Sequence, residues 1–268
     1  MEVRSLGYRT DLIFPKFDGQ ILDRGDYLVI LTPTNPTFYW GNFLLFSRPP
    51  IAGDLENWKS IFAKEIGPPT KVEHLAFGWD TMHGEMGEIK PFLDAGFNLS
   101  QTVVLSTERV AVPPKYNPEI EIHPLTEDWE WEQATQNQLA CRPPEHSLID
   151  YEIFKRDQMQ RYRQMTRDGR GFWFGAFLDN RLVAELGIFS DENIGRFQQV
   201  GTHPDYRRRG ICGTLVYQVS RYAFENMKVE TLVMVADENY HAARIYESIG
   251  FQPREHQVGI DWWKKSGL

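Results

Sequence analysis

Apolar residues fall at two spacings along this chain, and the change from one to the other lays out its elements. Residues 27–31 and 38–46 are apolar runs that read as buried strands, with Pro33, Asn35 and Pro36 between them. Leu55, Trp58, Phe62 and Ile66 then recur at helical spacing until Gly67-Pro68-Pro69 ends the helix. Strands are expected at 72–79 and 101–106, with a short helix at 88–95 closed by Gly96. The second half opens with a strand at 119–123. A helix follows, with Thr126 as its expected cap and Glu127, Asp128 and Glu130 in its first turn. A second helix covers 147–166, and strands at 172–178 and 182–189 turn at Asp179-Asn180. A third strand ends at Thr202, and Ile211, Leu215, Val219 and Ala223 mark one more amphipathic helix.

The order repeats. The shift that carries Val72 onto Val229 also carries Tyr27 onto Ala184, Phe43 onto Val200 and Asp54 onto Ile211. Gly96-Phe97 has a counterpart in Gly250-Phe251. This predicts a tandem duplication of one α/β design rather than a solenoid of short period. The expected domains are 1–111, a linker at 112–118 rich in proline, and 119–268.

At 268 residues the chain has ample core for two such units. A net charge of −8 argues against a nucleic-acid surface, so a basic run in this background is a local ligand site. Two cysteines, Cys141 and Cys212, give no disulfide framework and suit a reducing compartment. The first residues are charged, unlike a signal peptide, and the uncharged stretch 27–47 is broken by prolines, so no membrane span is expected. Together these predict a cytoplasmic protein, monomer or homodimer.

The chemistry concentrates in Arg207-Arg208-Arg209-Gly210-Ile211-Cys212-Gly213-Thr214, between the strand ending at Thr202 and the helix that follows. A helix start offers unpaired N–H groups and the positive end of the macrodipole, and glycine lets an anion approach. The spacing fits neither the Walker phosphate loop nor the dinucleotide fingerprint. The matching stretch of the first half has Pro49, Pro50, Gly53 and Asp54, with no arginine triplet and with a carboxylate where an anion would sit. The first half is therefore expected to be degenerate.

Arg207-x-x-Gly210-x-Cys212 resembles the acetyl-CoA pyrophosphate loop of the GNAT superfamily of N-acetyltransferases, Gln/Arg-x-x-Gly-x-Gly/Ala, with Cys212 in place of the small residue. The segment with Asn239, Ala243, Tyr246 and Gly250-Phe251 strengthens the resemblance, which extends over 118–268 and more faintly over the first half. It implies an α/β (α+β) fold of two GNAT-like units, each a mixed, mostly antiparallel twisted sheet flanked by helices. It also implies an acetyl-CoA-dependent N-acetyltransferase acting on an amine acceptor by direct attack in a ternary complex. Amides of Arg208, Arg209, Gly210, Ile211, Cys212, Gly213 and Thr214 would hold the pyrophosphate. The strand edge at Val200 and Thr202 would pair with pantetheine. Asn239 would help hold the cofactor, and Tyr246 would protonate the departing thiolate. The Val200 N–H would meet the oxyanion.

The family often has a glutamate on the strand before the loop, and here that stretch, Arg196-Phe197-Gln198-Gln199-Val200, has none. Glu185 on the neighbouring strand is the nearest candidate base, Glu145 and His146 are others, and the base stays unassigned. An exposed or ion-paired Glu185 and a Tyr246 that merely packs in the core are the plainer readings. The missing carboxylate keeps a non-catalytic acyl-CoA-binding protein as the rival. His74, His83 and Glu85 lack metal-ligand spacing, so no metal is expected. Arg156, Arg161, Arg163 and Arg167 read as the solvated face of a helix, with an entrance for an acidic acceptor as the alternative.

Overall fold

The computed structural model describes residues 1–36, 38–144, 147–237 and 242–264. The chain divides into two compact units: residues 1–104, 235–238 and 253–268 form the first, and residues 105–234 and 239–252 form the second. The sequence reading kept 119–268 together, whereas the closing segment from Pro253 groups with the first unit.

The first unit runs through α1 (Leu6–Asp11), α2 (Pro15–Asp18), β1 (Gln20–Asp23), β2 (Tyr27–Leu31), β3 (Phe43–Phe46), α3 (Asp54–Glu65), α4 (Pro69–Val72), β4 (His74–Trp79), α5 (Lys90–Asp94) and the start of β5 (Asn98–Thr107). The second holds β6 (Glu121–Pro124), α6 (Asp128–Ala140), α7 (Leu148–Arg167), β7 (Gly171–Leu178), β8 (Arg181–Asp191), β9 (Ile194–Thr202), α8 (Ile211–Asn226), the start of β10 (Thr231–Asp237) and α9 (Ala242–Ile249). β11 (Gln252–Trp263) then returns the chain to the first unit.

In the first unit the strands run in the order β1-β2-β3-β4-β11-β5. β3 and β4 are parallel, and β11 lies antiparallel to β4 from Gly259 opposite Gly78 to Trp263 opposite His74. Val258 and Ile260 of β11 are buried in one core with Phe46, Trp58, Phe62 and Phe77. The stretch 38–42, expected to be strand, is instead a tight turn. Asn42 closes it by donating to the carbonyls of Asn35 and Phe38 at 2.9 and 3.0 Å, so the strand begins only at Phe43.

In the second unit β6, β7, β8 and β9 are antiparallel neighbours, and β10 joins β9 in parallel. Asp179 and Asn180, both at positive φ (47° and 63°), make the tight β7–β8 turn, as turn chemistry requires. The α6 cap is Glu127, not Thr126. Its carboxylate accepts from the third helical N–H while Glu130 reaches back, and this reciprocal box outcompetes the hydroxyl one residue earlier.

The repeated order has counterparts in the geometry. The shift seen in the sequence lays Asp54, which opens α3, on Ile211, which opens α8, and His74 of β4 on Thr231 of β10. Both helices start from a left-handed glycine, Gly53 at φ 89°, ψ −10° and Gly210 at φ 80°, ψ −2°. The first copy has filled its helix start with its own chain. The Asp54 carboxylate accepts the Ile51 N–H at 2.8 Å and the Arg48 guanidinium at 2.6 Å, and Glu88 N–H donates to the Pro50 carbonyl at 2.7 Å.

Candidate functional site

The arginine loop lies between β9 and α8, with the helix itself opening at Ile211. The segment 112–118, expected to be a bare linker, is packed against the back of this loop. Lys115 Nζ donates to the Arg208 carbonyl, and Asn117 Nδ2 donates to the Arg209 carbonyl at 2.9 Å. In a trans peptide the C=O and the next N–H point in opposite directions. Tying back these two carbonyls therefore turns the N–H groups of Arg209 and Gly210 to the other side. Those of Ile211, Cys212 and Gly213 belong to the first helical turn and have no partner within the helix. A Cβ at position 210 would collide with the Lys115 carbonyl, and at position 213 it would press on Pro113, which accounts for both glycines.

Three details depart from the expected roles. Thr214 donates its N–H to the Gly210 carbonyl at 3.0 Å and accepts the Asn117 N–H on its hydroxyl at 2.8 Å, so it braces the loop. Arg207 turns inward and donates Nε to the Thr202 carbonyl at 3.2 Å, and that carbonyl also accepts from Cys141 Sγ at 3.4 Å. Arg209 lies over the Tyr206 ring at 5.1 Å and donates to the Asp205 carbonyl at 3.4 Å. Arg208 is exposed at φ 62°, and its guanidinium has no side-chain partner among the described residues. Burial pushes the Cys212 thiol up to about 11, against a lowering hydrogen bond with Thr202, so it stays a neutral small side chain.

β9 is irregular where the resemblance needs it to be. Glu185 pairs with Gly201 and Gly187 with Gln198, so Leu186 faces two residues, Gln199 and Val200. This is a bulge with Gln199 in the left-handed region at φ 51°. On its other edge, β9 pairs with β10 through Ile194, Gly195 and Arg196, and among the described residues the ladder goes no further. The edge from 197 to 202 is open to another extended backbone.

Glu185 is not exposed, and among the described residues it has no ion-pair partner. It is fully buried, its Oε1 accepting Gln138 Nε2 at 2.6 Å and Asn137 Nδ2 at 3.4 Å, and its Oε2 accepting Trp173 Nε1 at 2.6 Å. Burial pushes its carboxyl up to about 7, against those three donors and the charge of Lys155. Lys155 is also buried, and burial brings its ammonium down to about 8 against the attraction of Glu185 and Cys141. Burial raises the Tyr151 phenol to about 12.

Tyr246 on α9 is 4% exposed, its ring 6.4 Å edge-on from Phe251, whose ring is in turn 6.0 Å from Phe197 of β9. Ala243 is half-buried one turn earlier. Ile245 lies 3.6 Å from the Cβ position of Gly213, which brings α9 beside the loop. Asn239, Glu145 and His146 lie outside the described residues. Two of the helix arginines are engaged: Arg156 pairs with Glu132 and Glu152, and Arg163 with Asp128, along a groove of about 390 Å³ between α6 and α7. Among the described residues, no His, Cys, Asp and Glu group has metal-binding geometry, and no helix is long and apolar enough to cross a membrane.

Sequence reasoning missed Asn137, Gln138, Lys155 and Gln199. The signal available was polar residues at core positions of helical stripes: Gln138 continues the buried face of Trp131, Ala134 and Thr135, and Lys155 that of Met159 and Tyr162.

Residues 125–251 match the model of the acetyltransferase (GNAT) family. The fold is similar to that of a conserved protein of unknown function from Staphylococcus epidermidis, at a TM-score of 0.72 and 14% identity, over 95% of this chain and 99% of that one. A GCN5-related N-acetyltransferase from Kribbella flavida is similar at a TM-score of 0.64 and 14% identity, over 98% and 97% of the two chains. A tandem GNAT protein from the clavulanic acid biosynthesis pathway is similar at 0.51 and 12% identity, over 78% of this chain and 68% of that one. No curated protein matches the sequence. The fold is that of two GNAT-like units, and the stretch that matches the family model lies almost wholly within the second.

Proposed function

From a GNAT-family domain at residues 125–251, which supports acetyl transfer in general, we propose that this protein is an acetyl-CoA-dependent N-acetyltransferase of a small-molecule primary amine. The observation that carries this reading is the loop whose carbonyls are held back by Lys115 and Asn117 while its amides face away. A diphosphate is the ligand that such an array suits, with the Arg208 guanidinium as its mobile counter-charge. Charge-assisted hydrogen bonds contribute about 1.5–3 kcal/mol each, and several offset the ordering of a flexible cosubstrate.

The open edge of β9 would take the pantetheine amides, and the bulge at Gln199 turns the Val200 N–H out of the regular ladder, where it would meet the oxyanion. The acceptor nitrogen attacks the thioester carbonyl carbon, the C–N bond forms and the C–S bond breaks. The thiolate takes a proton, for which the Tyr246 phenol is our candidate donor. The amine must first be neutral, and Glu185, with a carboxyl near 7, matches that demand in proton affinity. It is fully buried, so it would act through the polar groups around it. Two cysteines with no disulfide framework suit a reducing compartment, which supports a cytoplasmic location.

Calorimetric titration with acetyl-CoA, and thiol release with a panel of primary amines, test the reading. Tyr246→Phe should keep the acetyl-CoA Kd and lose roughly ten- to a thousand-fold in kcat. Unchanged kcat removes Tyr246 from the mechanism, and absence of acetyl-CoA binding removes the reading itself.

A further inference from the structure

Lys155 is 3% exposed, on the third turn of α7, and among the described residues no carboxylate lies within ion-pair distance of it. Two of its three N–H donors are spoken for: Gln158 Oε1 accepts at 2.8 Å and Gln199 Oε1 at 2.9 Å. The rings of Tyr151 and Phe154 lie 5.5 and 5.6 Å away. The third donor has no acceptor among the described residues. Lysine is rarely buried without a partner, because an unpaired cation loses its hydration with little in return.

The surroundings show what a partner would meet. Gln199, whose side chain holds Lys155, is the bulge residue next to Val200. Its carbonyl accepts Gln138 Nε2 at 3.2 Å, and the same amide donates to Glu185. Asn137, which also donates to Glu185, is 2% exposed, and its Oδ1 has no hydrogen-bond partner among the described residues. One continuous network thus has a cation with a spare donor at one end. At the other end stand a carboxylate and an orphan acceptor, and neutral amides hold the two poles apart. That is the complement of a molecule carrying an ammonium and a carboxylate.

We propose that Lys155 anchors the carboxylate of the acceptor, which is therefore an amino acid or a compound presenting the same amine–carboxylate pair. This deepens the acetyltransferase reading and rests on it. One monovalent cation facing a nearby Glu185 suits a carboxylate better than a phosphate dianion. The amine is directed toward the Glu185 and Asn137 end, whose carboxylate, enclosed by Trp173, Gln138 and Asn137, acts on it through those polar groups.

The test uses the full chain and a set of L-amino acids, each beside its α-carboxamide, with acetyl-CoA and thiol release as the readout. The acids should be used with kcat/KM about ten- to a hundred-fold above their amides. That preference should collapse in Lys155→Met, with the acetyl-CoA Kd unchanged. Ligand-free Lys155→Met should melt at or above the wild-type temperature, since an apolar chain of similar length replaces an unpaired buried cation. Equal use of acids and amides overturns the proposal. So does a variant that melts lower or binds acetyl-CoA more weakly, because Lys155 is then a brace for the bulge. Acetyl-CoA binding without turnover of any acid overturns this inference and leaves the general reading standing. If acetyl-CoA itself fails to bind, titration of the acids alone still decides the Lys155 site: heat that Lys155→Met abolishes upholds it, and no heat overturns it.

Discussion

Replacing Glu185 by glutamine tests the energetics of the buried network directly. The carboxyl is raised from 4.5 to about 7 because burial disfavours its charged form. A folded-state value above the unfolded one means that the native protein holds a proton the unfolded chain has released. The stabilisation is fully present below about pH 4.5, is lost as pH rises to about 7, and is flat above. At 1.36 kcal/mol per pKa unit the loss comes to about 3 kcal/mol. The introduced amide does not titrate, so the stability of Glu185→Gln relative to wild type should improve by about 3 kcal/mol between pH 4.5 and pH 8. Groups that Glu185 does not touch titrate in both proteins and cancel. Lys155, lowered from 10.5 to about 8 in the wild type against the attraction of Glu185, recovers stability as pH rises between those values; losing that attraction lowers it further in the variant, which adds to the improvement toward pH 8.

The absolute offset between the two proteins depends on how the new NH₂ is received. It would face the donors of Gln138 and Asn137, a cost of about 1–3 kcal/mol, unless Asn137 rotates and presents its unpartnered Oδ1. Urea melts at four pH values across this range measure the change. A difference that stays constant within about 0.5 kcal/mol over a span where linkage requires about 3 would refute the placement of an ionisable Glu185 in a dry core.

Two further outcomes follow from other parts of the structure. Asn117→Ala removes the 2.9 Å bond to the Arg209 carbonyl. It should weaken acetyl-CoA binding about five- to tenfold, the equivalent of one neutral hydrogen bond; an unchanged Kd by calorimetry would mean that the loop keeps its shape without this anchor. Asp54→Asn should destabilise the first unit by about 1–3 kcal/mol. Burial raises the Asp54 carboxyl, but its bonds to Arg48 and the Ile51 N–H outweigh this and hold it below the usual range. Its contribution is therefore lost on acidification below about pH 4, and urea melts of the variant should lack that acid-sensitive step.

Much of this architecture was legible because it depends on local pattern. The helix spacing of Leu55, Trp58 and Phe62 and the glycine before each of α3 and α8 mark the similar order of the two halves. The loop was legible because glycine and arginine at fixed spacing have few other uses. The clamp behind it was not, since Lys115 and Asn117 lie in a proline-rich stretch with no periodicity and act through single polar contacts. Glu185 was found by position on a strand, but its environment comes from Asn137 and Gln138 on one helix and Lys155 on another. No sequence window contains all of them. The bulge at Gln199 escaped for a similar reason: it exists only in register against β8.

The place of β11 reaches into how the protein is made. On a translating ribosome β4 emerges long before β11, the neighbour that separates it from β5 and supplies Val258 and Ile260 to the core around Trp58. Until then the edge of β4 is bare, which is the condition that invites mispairing. The half that is synthesised first is thus completed last, and nascent chains stalled ahead of Gln252 would be expected to lean on chaperones more heavily than chains released whole.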